Sequence, residues 1–204
     1  MNIDFADQAP ARIYSIMAQT IMPRPIAWVL SENAGGNYNL APFSYFAPIC
    51  SDPPLFMISV SKKPDGTLKD TRANILERND FVVHIPSWEQ LEAMNSSAAT
   101  MDAGVSEVDE LGLSLTDFPG SRLPRLTESR VAMACSLYEI REIGKGPYAM
   151  ILGRITRVYI ADEAVMEHSD DTLRISPTAL NPVGRLGGPQ YAELGKVVTL
   201  ARPE

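Results

Sequence analysis

The sequence predicts a mainly β fold, an antiparallel barrel, closed or partly closed, with short helices at its periphery. Three observations carry that reading. Short apolar runs bounded by Pro, Gly and Asn recur through residues 23–86, as strands of a sheet require. Two longer runs, residues 130–144 and 148–160, flank Gly-Lys-Gly-Pro, which is a hairpin signal. The helical patterns are few and short, so they can cover a sheet but not form a core alone.

The elements follow in order. RIYSIMAQT (12–20) reads either as a short helix or as an irregular lead-in. PRPIAWVL (23–30) is a strand, and SENAGGNYN (31–39) is a turn in which Gly35 and Gly36 can take positive φ. LAPFSYFAPIC (40–50) is a second extended stretch, because its prolines and alternating aromatics do not fit a helix. LFMISVS (55–61) is a third strand, apolar enough to be central. LKDTRANILERN (68–79) is a helix capped by Asp70 or Thr71, with Ile75 and Leu76 on its apolar face. FVVHIP (81–86) is a strand, and SWEQLEAMNSSAATM (87–101) is a helix with a Ser cap. Residues 102–127 hold Gly104, Gly112, Pro119, Gly120 and Pro124, so they are mostly loop, with a short helix near Glu107–Leu111. After the long hairpin, residues 162–175 carry a weak helical pattern. No internal repeat or linker interrupts the chain, and one domain over 1–204 is expected.

Composition narrows the function classes. The 204 residues have a net charge of −7 and 45% hydrophobic content, which suits a globular core and argues against a nucleic-acid binder. A small anion can still bind where a local cluster opposes the global charge. Cys50 and Cys135 lie in apolar surroundings, as reduced, packed thiols of a cytoplasmic protein do. Neither Cys/His metal spacing nor a stretch of transmembrane length is present.

Two stretches carry chemistry. Ser59 and Ser61 share one face of their strand, because side chains alternate with period two. Lys69 precedes the start of a helix, where unpaired N–H groups favour a phosphate, and Thr71 adds a third hydroxyl. The alternative is a solvated lysine beside a cap. In NLAPFSYF (39–46), Asn39 and Ser44 are hydrogen-bonding groups among apolar neighbours, and Pro42, lacking a backbone donor, means that the strand is interrupted or at an edge there. An interrupted edge leaves backbone groups free to meet a flat heterocycle, with Phe43, Tyr45 or Phe46 as apolar wall. The alternative is a core strand with an irregular start. Neither a Walker loop nor a GxGxxG fingerprint occurs.

PRPIAWV, NLAPFSYF, DPPLFMISVS, LKDTRANI and FVVHIP, in this order and spacing, with PVGRLGGPQY near the end, resemble the flavin reductase-like family of FMN-binding split barrels. The resemblance runs from about residue 20 to 192. It implies a six-stranded antiparallel split β-barrel with peripheral short helices, a homodimer, and FMN near the subunit interface. It places Asn39, Ala41, Pro42, Phe43 and Ser44 along the flavin, and Ser59, Val60, Ser61, Lys69, Asp70 and Thr71 on its phosphate side. Arg24, Arg185 and Tyr191 are further carry-overs, toward the ribityl chain or the partner's site. The implied activity is NAD(P)H:flavin oxidoreduction, with NAD(P)H as a transient co-substrate and a monooxygenase or another acceptor as partner. The alternative is an FMN-carrying electron-transfer protein reduced by a partner. No catalytic side chain and no metal is implied. His84 stands where Asn is common, either as a core residue or as one that meets the flavin; His168 is expected at the surface.

Overall fold

The computed structural model describes residues 1–169, 171–201 and 203. The chain opens with α1 (Pro10–Thr20), resolving the ambiguous start as a helix. Five strands of the main sheet come next: β1 (Ala27–Glu32), β2 (Tyr38–Phe43), β3 (Phe46–Ser51), β4 (Pro54–Val60) and, after α2 (Asp70–Arg78), β5 (Asp80–His84). A 3₁₀ turn and α3 (Leu91–Ser96) lead to α4 (Glu107–Glu110) and the small pair β6 (Leu115–Thr116) and β7 (Arg125–Leu126). The long hairpin is β8 (Val131–Glu142) and β9 (Ala149–Ile160). The chain ends with β10 (Val165–His168), β11 (Leu173–Ile175), α5 (Pro177–Leu180), β12 (Gly184–Arg185) and β13 (Tyr191–Ala192).

The main sheet has seven antiparallel strands in the order β2-β1-β5-β8-β9-β4-β3. Seven replaces the expected six because residues 40–50 are not one extended stretch. They break at Ser44-Tyr45 into β2 and β3. These two are the outermost strands of the sheet, yet only two residues separate them. The sheet must therefore curl until its edges meet at that corner. The Ser59 N–H of β4 donates to the Tyr45 carbonyl at 2.9 Å, fastening the corner to the wall.

Alternation along the strands builds two cores, one on each face. Ala27, Val29, Phe43, Phe56, Ile58, Val60, Phe81, Val83, Cys135 and Ile151 fill the barrel, and Ile75 of α2 packs against them. Trp28, Leu30, Leu40, Val82, Ala132 and Ala134 face outward into a second layer with Met94, Val108, Phe118, Leu123, Leu126 and Val183. β1 is therefore buried on both sides, which explains its unbroken apolar run. Inside the barrel, Gly153 of β9 pairs with Phe56. A Cβ there would come within 2.5 Å of the Phe56 ring and 2.8 Å of the Phe81 ring.

Several expectations are corrected. The N-cap of α2 is Lys69, with Asp70 already inside the helix, and no side chain caps it. Residues 162–175 are not helical beyond one 3₁₀ turn; they form the exposed β10–β11 hairpin, with Asp170 outside the described residues. Cys50 is exposed, and only Cys135 is packed in the core. His84 is fully buried: its Nδ1 lies 3.1 Å from the Trp28 carbonyl and its Nε2 accepts the Leu126 N–H at 3.0 Å. One tautomer, with the proton on Nδ1, satisfies both bonds. His84 thus stitches β1, β5 and β7 together.

Candidate functional site

The site lies where the β2–β3 corner faces the end of β4 and the start of α2. Two adjoining cavities share Pro42, Phe43, Lys69 and Ala98. The larger, of about 260 Å³, adds Ser44, Tyr45, Ser59, Ser61, Tyr14, Tyr148, Arg185 and Tyr191. The smaller, of about 130 Å³, adds Asn39, Ala41, Asp70, Thr71, Lys63 and Glu107. Twelve of the fourteen expected contact residues therefore line one or other of these adjoining cavities.

The local sequence explains how. Period-two alternation turns Ser59 and Ser61 toward the cavity while Val60 between them points into the barrel core. Val60 therefore contributes packing, not a wall. Pro42 sits on an edge strand, where its missing N–H costs no ladder bond. Asn39 is buried, and its Nδ2 donates to Ser31 Oγ at 3.2 Å and to Thr71 Oγ1 at 2.9 Å, which holds the start of α2 against β2.

Lys69 has the charge and position for an anion. It is half-buried, its Nζ is 5.9 Å from the Phe43 ring centroid, and no ion pair of the described residues includes it. Burial holds its pKa below the usual lysine value, and the nearby Lys63 charge adds to this. An arriving anion relieves both effects. Asp70, by contrast, is occupied by Lys63 at 3.2 Å.

Arg24 lies behind the cavity wall, its Nε donating to Ser44 Oγ at 3.4 Å and its guanidinium carbon 5.8 Å from the Tyr45 ring centroid. Its Nη1 donates to the Ala18 and Ile21 carbonyls at 2.6 Å, and its Nη2 donates to Leu186 O at 2.9 Å. It caps the C-terminus of α1, favourable for a cation, and ties that end to the β12–β13 hairpin. It lines neither cavity. Arg185 and Tyr191 do line the larger one, with the guanidinium carbon 4.4 Å from the Tyr191 ring centroid. Tyr191 Oη donates to Asn95 Oδ1 at 2.7 Å, anchoring the hairpin over α3.

Sequence reasoning missed Tyr14, Tyr148, Lys63 and Glu107. Tyr14 reaches the site from α1 and stacks on Tyr45, with centroids 6.0 Å apart. Lys63 was visible within Lys-Lys-Pro-Asp-Gly, but its pairing with Asp70 needs the turn to be folded. Glu107 gave no signal, because it is recruited by a backbone group, the Leu40 N–H, at 2.8 Å.

Among the described residues, no helix is long and apolar enough to cross a membrane, and no cluster of metal-ligating side chains occurs.

Comparison with known proteins gives the family. The flavin reductase like domain family matches residues 17–175. YwrF of Bacillus subtilis is 35% identical over the full length of both chains. The structure of nitrilotriacetate monooxygenase component B from Bacillus cereus is 31% identical, covers 98% of each chain and superposes with a TM-score of 0.89. That of the 2-nitrobenzoate 2-nitroreductase NbaA of Pseudomonas fluorescens is 33% identical over 100% of this chain and 96% of its own, with a TM-score of 0.88. With the family match spanning most of the sequence and relatives aligned from end to end, the chain belongs to the flavin reductase-like family.

Proposed function

We propose that the protein is an FMN-binding NAD(P)H:flavin oxidoreductase that passes electrons to free flavin, a partner monooxygenase or another acceptor. The observation that carries this reading is Lys69: a desolvated cation with no carboxylate partner among the described residues, at the start of α2, where the two cavities meet. The residues around it fit a phosphorylated flavin. Lys69, Ser59, Ser61 and the first N–H groups of α2 suit the phosphate. The Ala41–Ser44 corner, with Phe43, suits a flat ring.

When bound, a flavin would supply the two-electron redox chemistry. The chain's own part is to bind and orient. Pro42 and Phe43 wall the groove, Tyr14 and Tyr148 line it on the α1 side, and Lys69 would fix the charged end. Hydride transfer needs no general base, and no side chain is assigned as one.

The names of the similar structures support two fates for the electrons: a partner monooxygenase, or direct reduction of a nitroaromatic compound. We also place a second copy of the chain against the apolar groove of about 740 Å³ lined by Ile13, Met17, Met57, Ile143, Pro147 and Met150. That groove shares Tyr14, Tyr45, Ser59 and Tyr148 with the larger cavity, so a homodimer would complete the cavity wall.

The test is an absorbance spectrum after adding FMN and desalting, followed by NADH and NADPH under anaerobic conditions. Retained flavin bands that bleach with a nicotinamide are the expected result. Retained bands that no nicotinamide bleaches would instead make the protein an electron carrier reduced by a partner.

A further inference from the structure

Three elements that wall the larger cavity have little burial of their own to hold them in place. α1 brings Tyr14 to it, yet Ala18 is the one buried residue of that helix. The β12–β13 hairpin brings Arg185 and Tyr191 on strands of two residues each. The corner between β2 and β3 brings Ser44 and Tyr45, where the two edges of the sheet meet. Short helices and two-stranded hairpins are marginal without tertiary support. Their relative places therefore depend on the ties between them.

Arg24 makes those ties with one side chain, which is buried behind the wall. Nη1 serves the Ala18 and Ile21 carbonyls of α1, Nη2 the Leu186 carbonyl of the hairpin turn, and Nε the Ser44 hydroxyl of the corner. The backbone adds a second tie to the hairpin: the Arg24 N–H donates to the Arg185 carbonyl at 3.0 Å, and the Arg185 N–H to the Arg24 carbonyl at 2.8 Å. No carboxylate pairs with Arg24 among the described residues. Its charge is met by the carbonyl end of α1. A guanidinium is a planar fork, so its bonds fix the spacing of the elements it joins. A lysine carries its donors on one atom and cannot span all three. None of these bonds reaches β4 or α2, which present Ser59 and Lys69.

We propose that Arg24 is a positioning residue for the flavin ring: from behind the wall it sets the places of Tyr14, the Ser44-Tyr45 corner and Arg185 with Tyr191, and leaves the phosphate end to Lys69. The proposal rests on the flavin reading above. It goes further by separating what shapes the ring end of the site from what holds the charge.

A second seam between α1 and the hairpin gives an independent probe. A Cβ on Gly187 would overlap the Gln19 Cγ and lie 3.1 Å from the Gln19 Cα. Neither residue lines a cavity, so Gly187→Ala displaces α1 from the hairpin without altering a cavity residue or Arg24 itself.

The experiment compares wild type, Arg24→Lys and Gly187→Ala. It uses fluorescence titration with FMN and with riboflavin at fixed salt, visible circular dichroism at FMN saturation, and thermal melts of the free proteins. In Arg24→Lys both ligands should bind about tenfold more weakly, because wall side chains held ready in the wild type must then be ordered on binding. The ratio of FMN to riboflavin affinity should stay the same. The visible dichroism of the ring, which needs fixed asymmetric surroundings, should fall even at saturation. Gly187→Ala should move the same readouts in the same direction, and it decides the matter if Arg24→Lys does not fold. A lower melting temperature with wild-type riboflavin affinity and dichroism would overturn the proposal and leave Arg24 a residue of the fold alone. So would weaker FMN binding with riboflavin unchanged, which would put Arg24 on the phosphate. Either result leaves the flavin reading intact; no binding of any flavin by the wild type would overturn both.

Discussion

Asn39 Nδ2 donates to Thr71 Oγ1 across 2.9 Å, joining the edge strand that walls the groove to the helix start that offers it a charge. Both side chains are buried, Asn39 at 3% and Thr71 at 1% exposure, so neither exchanges this bond freely for one to water. Thr71→Val keeps the shape and removes the acceptor. It should destabilise the fold by about 1–3 kcal/mol, the cost of a buried polar group left unsatisfied. Thr71→Ser should recover most of that. Urea melts of the two variants check this; equal midpoints for Val and wild type would show that the bond does not hold α2.

Lys69→Ala tests the anion end directly. The lysine is half-buried and has no carboxylate partner among the ion pairs of the described residues, so its loss frees no opposing charge. FMN affinity should fall by about 1.5–3 kcal/mol, as for a hydrogen bond to a charged group. Riboflavin, which lacks the phosphate, should bind both proteins alike. Fluorescence titration at fixed salt measures both, and an unchanged FMN affinity would remove the phosphate from this end of the groove.

Much of this was legible in the sequence because it rests on short-range rules. Ser59 and Ser61 share the cavity because strands alternate, and the Gly-Lys-Gly-Pro segment marked the β8–β9 hairpin because a tight turn needs such residues. The break at Ser44-Tyr45 was not legible, since prolines and aromatics continue on both sides of it, and only barrel closure puts the two segments on opposite edges. The anchoring of Arg24 was hidden for a related reason. Besides Ser44 Oγ, its partners are the Ala18, Ile21 and Leu186 carbonyls, and a carbonyl leaves no mark in the residue type. The β10–β11 hairpin was misread because Glu167, His168 and Arg174 are exposed, and a strand with no buried face has no alternation to detect.

Gly153→Ala probes the barrel interior. The added methyl would overlap the Phe56 and Phe81 rings, which meet edge-on with centroids 6.1 Å apart. The rings are buried on every side, so relief requires shifting β4 or β5. A loss of about 1–3 kcal/mol is expected, as for other overpacked cores. Thermal melts check it, and a melting temperature at or above the wild type would mean that the rings yield without cost.

His84 predicts an acid limit to stability. Burial draws its pKa down to about 4; the Trp28 carbonyl opposes this and the Arg125 charge adds to it. In the unfolded chain the imidazole titrates near 6.5. Between these values the unfolded state binds more protons, so stability rises with pH through that window and falls as pH drops. Above pH 6.5 the contribution is fully present; by pH 4 roughly 3 kcal/mol is lost. Below pH 4 the folded state binds the proton too, so this group adds no further slope. The proton has no good place in the fold, because Nε2 already accepts the Leu126 N–H. Carboxylates also contribute to acid sensitivity, so the measurement is a difference: urea melts of wild type and His84→Leu from pH 8 to pH 4. The variant should be less stable at pH 8, since Leu126 N–H and the Trp28 carbonyl lose their partner, and it should lose less on acidification. Parallel curves for the two proteins would show that His84 is not the group that titrates.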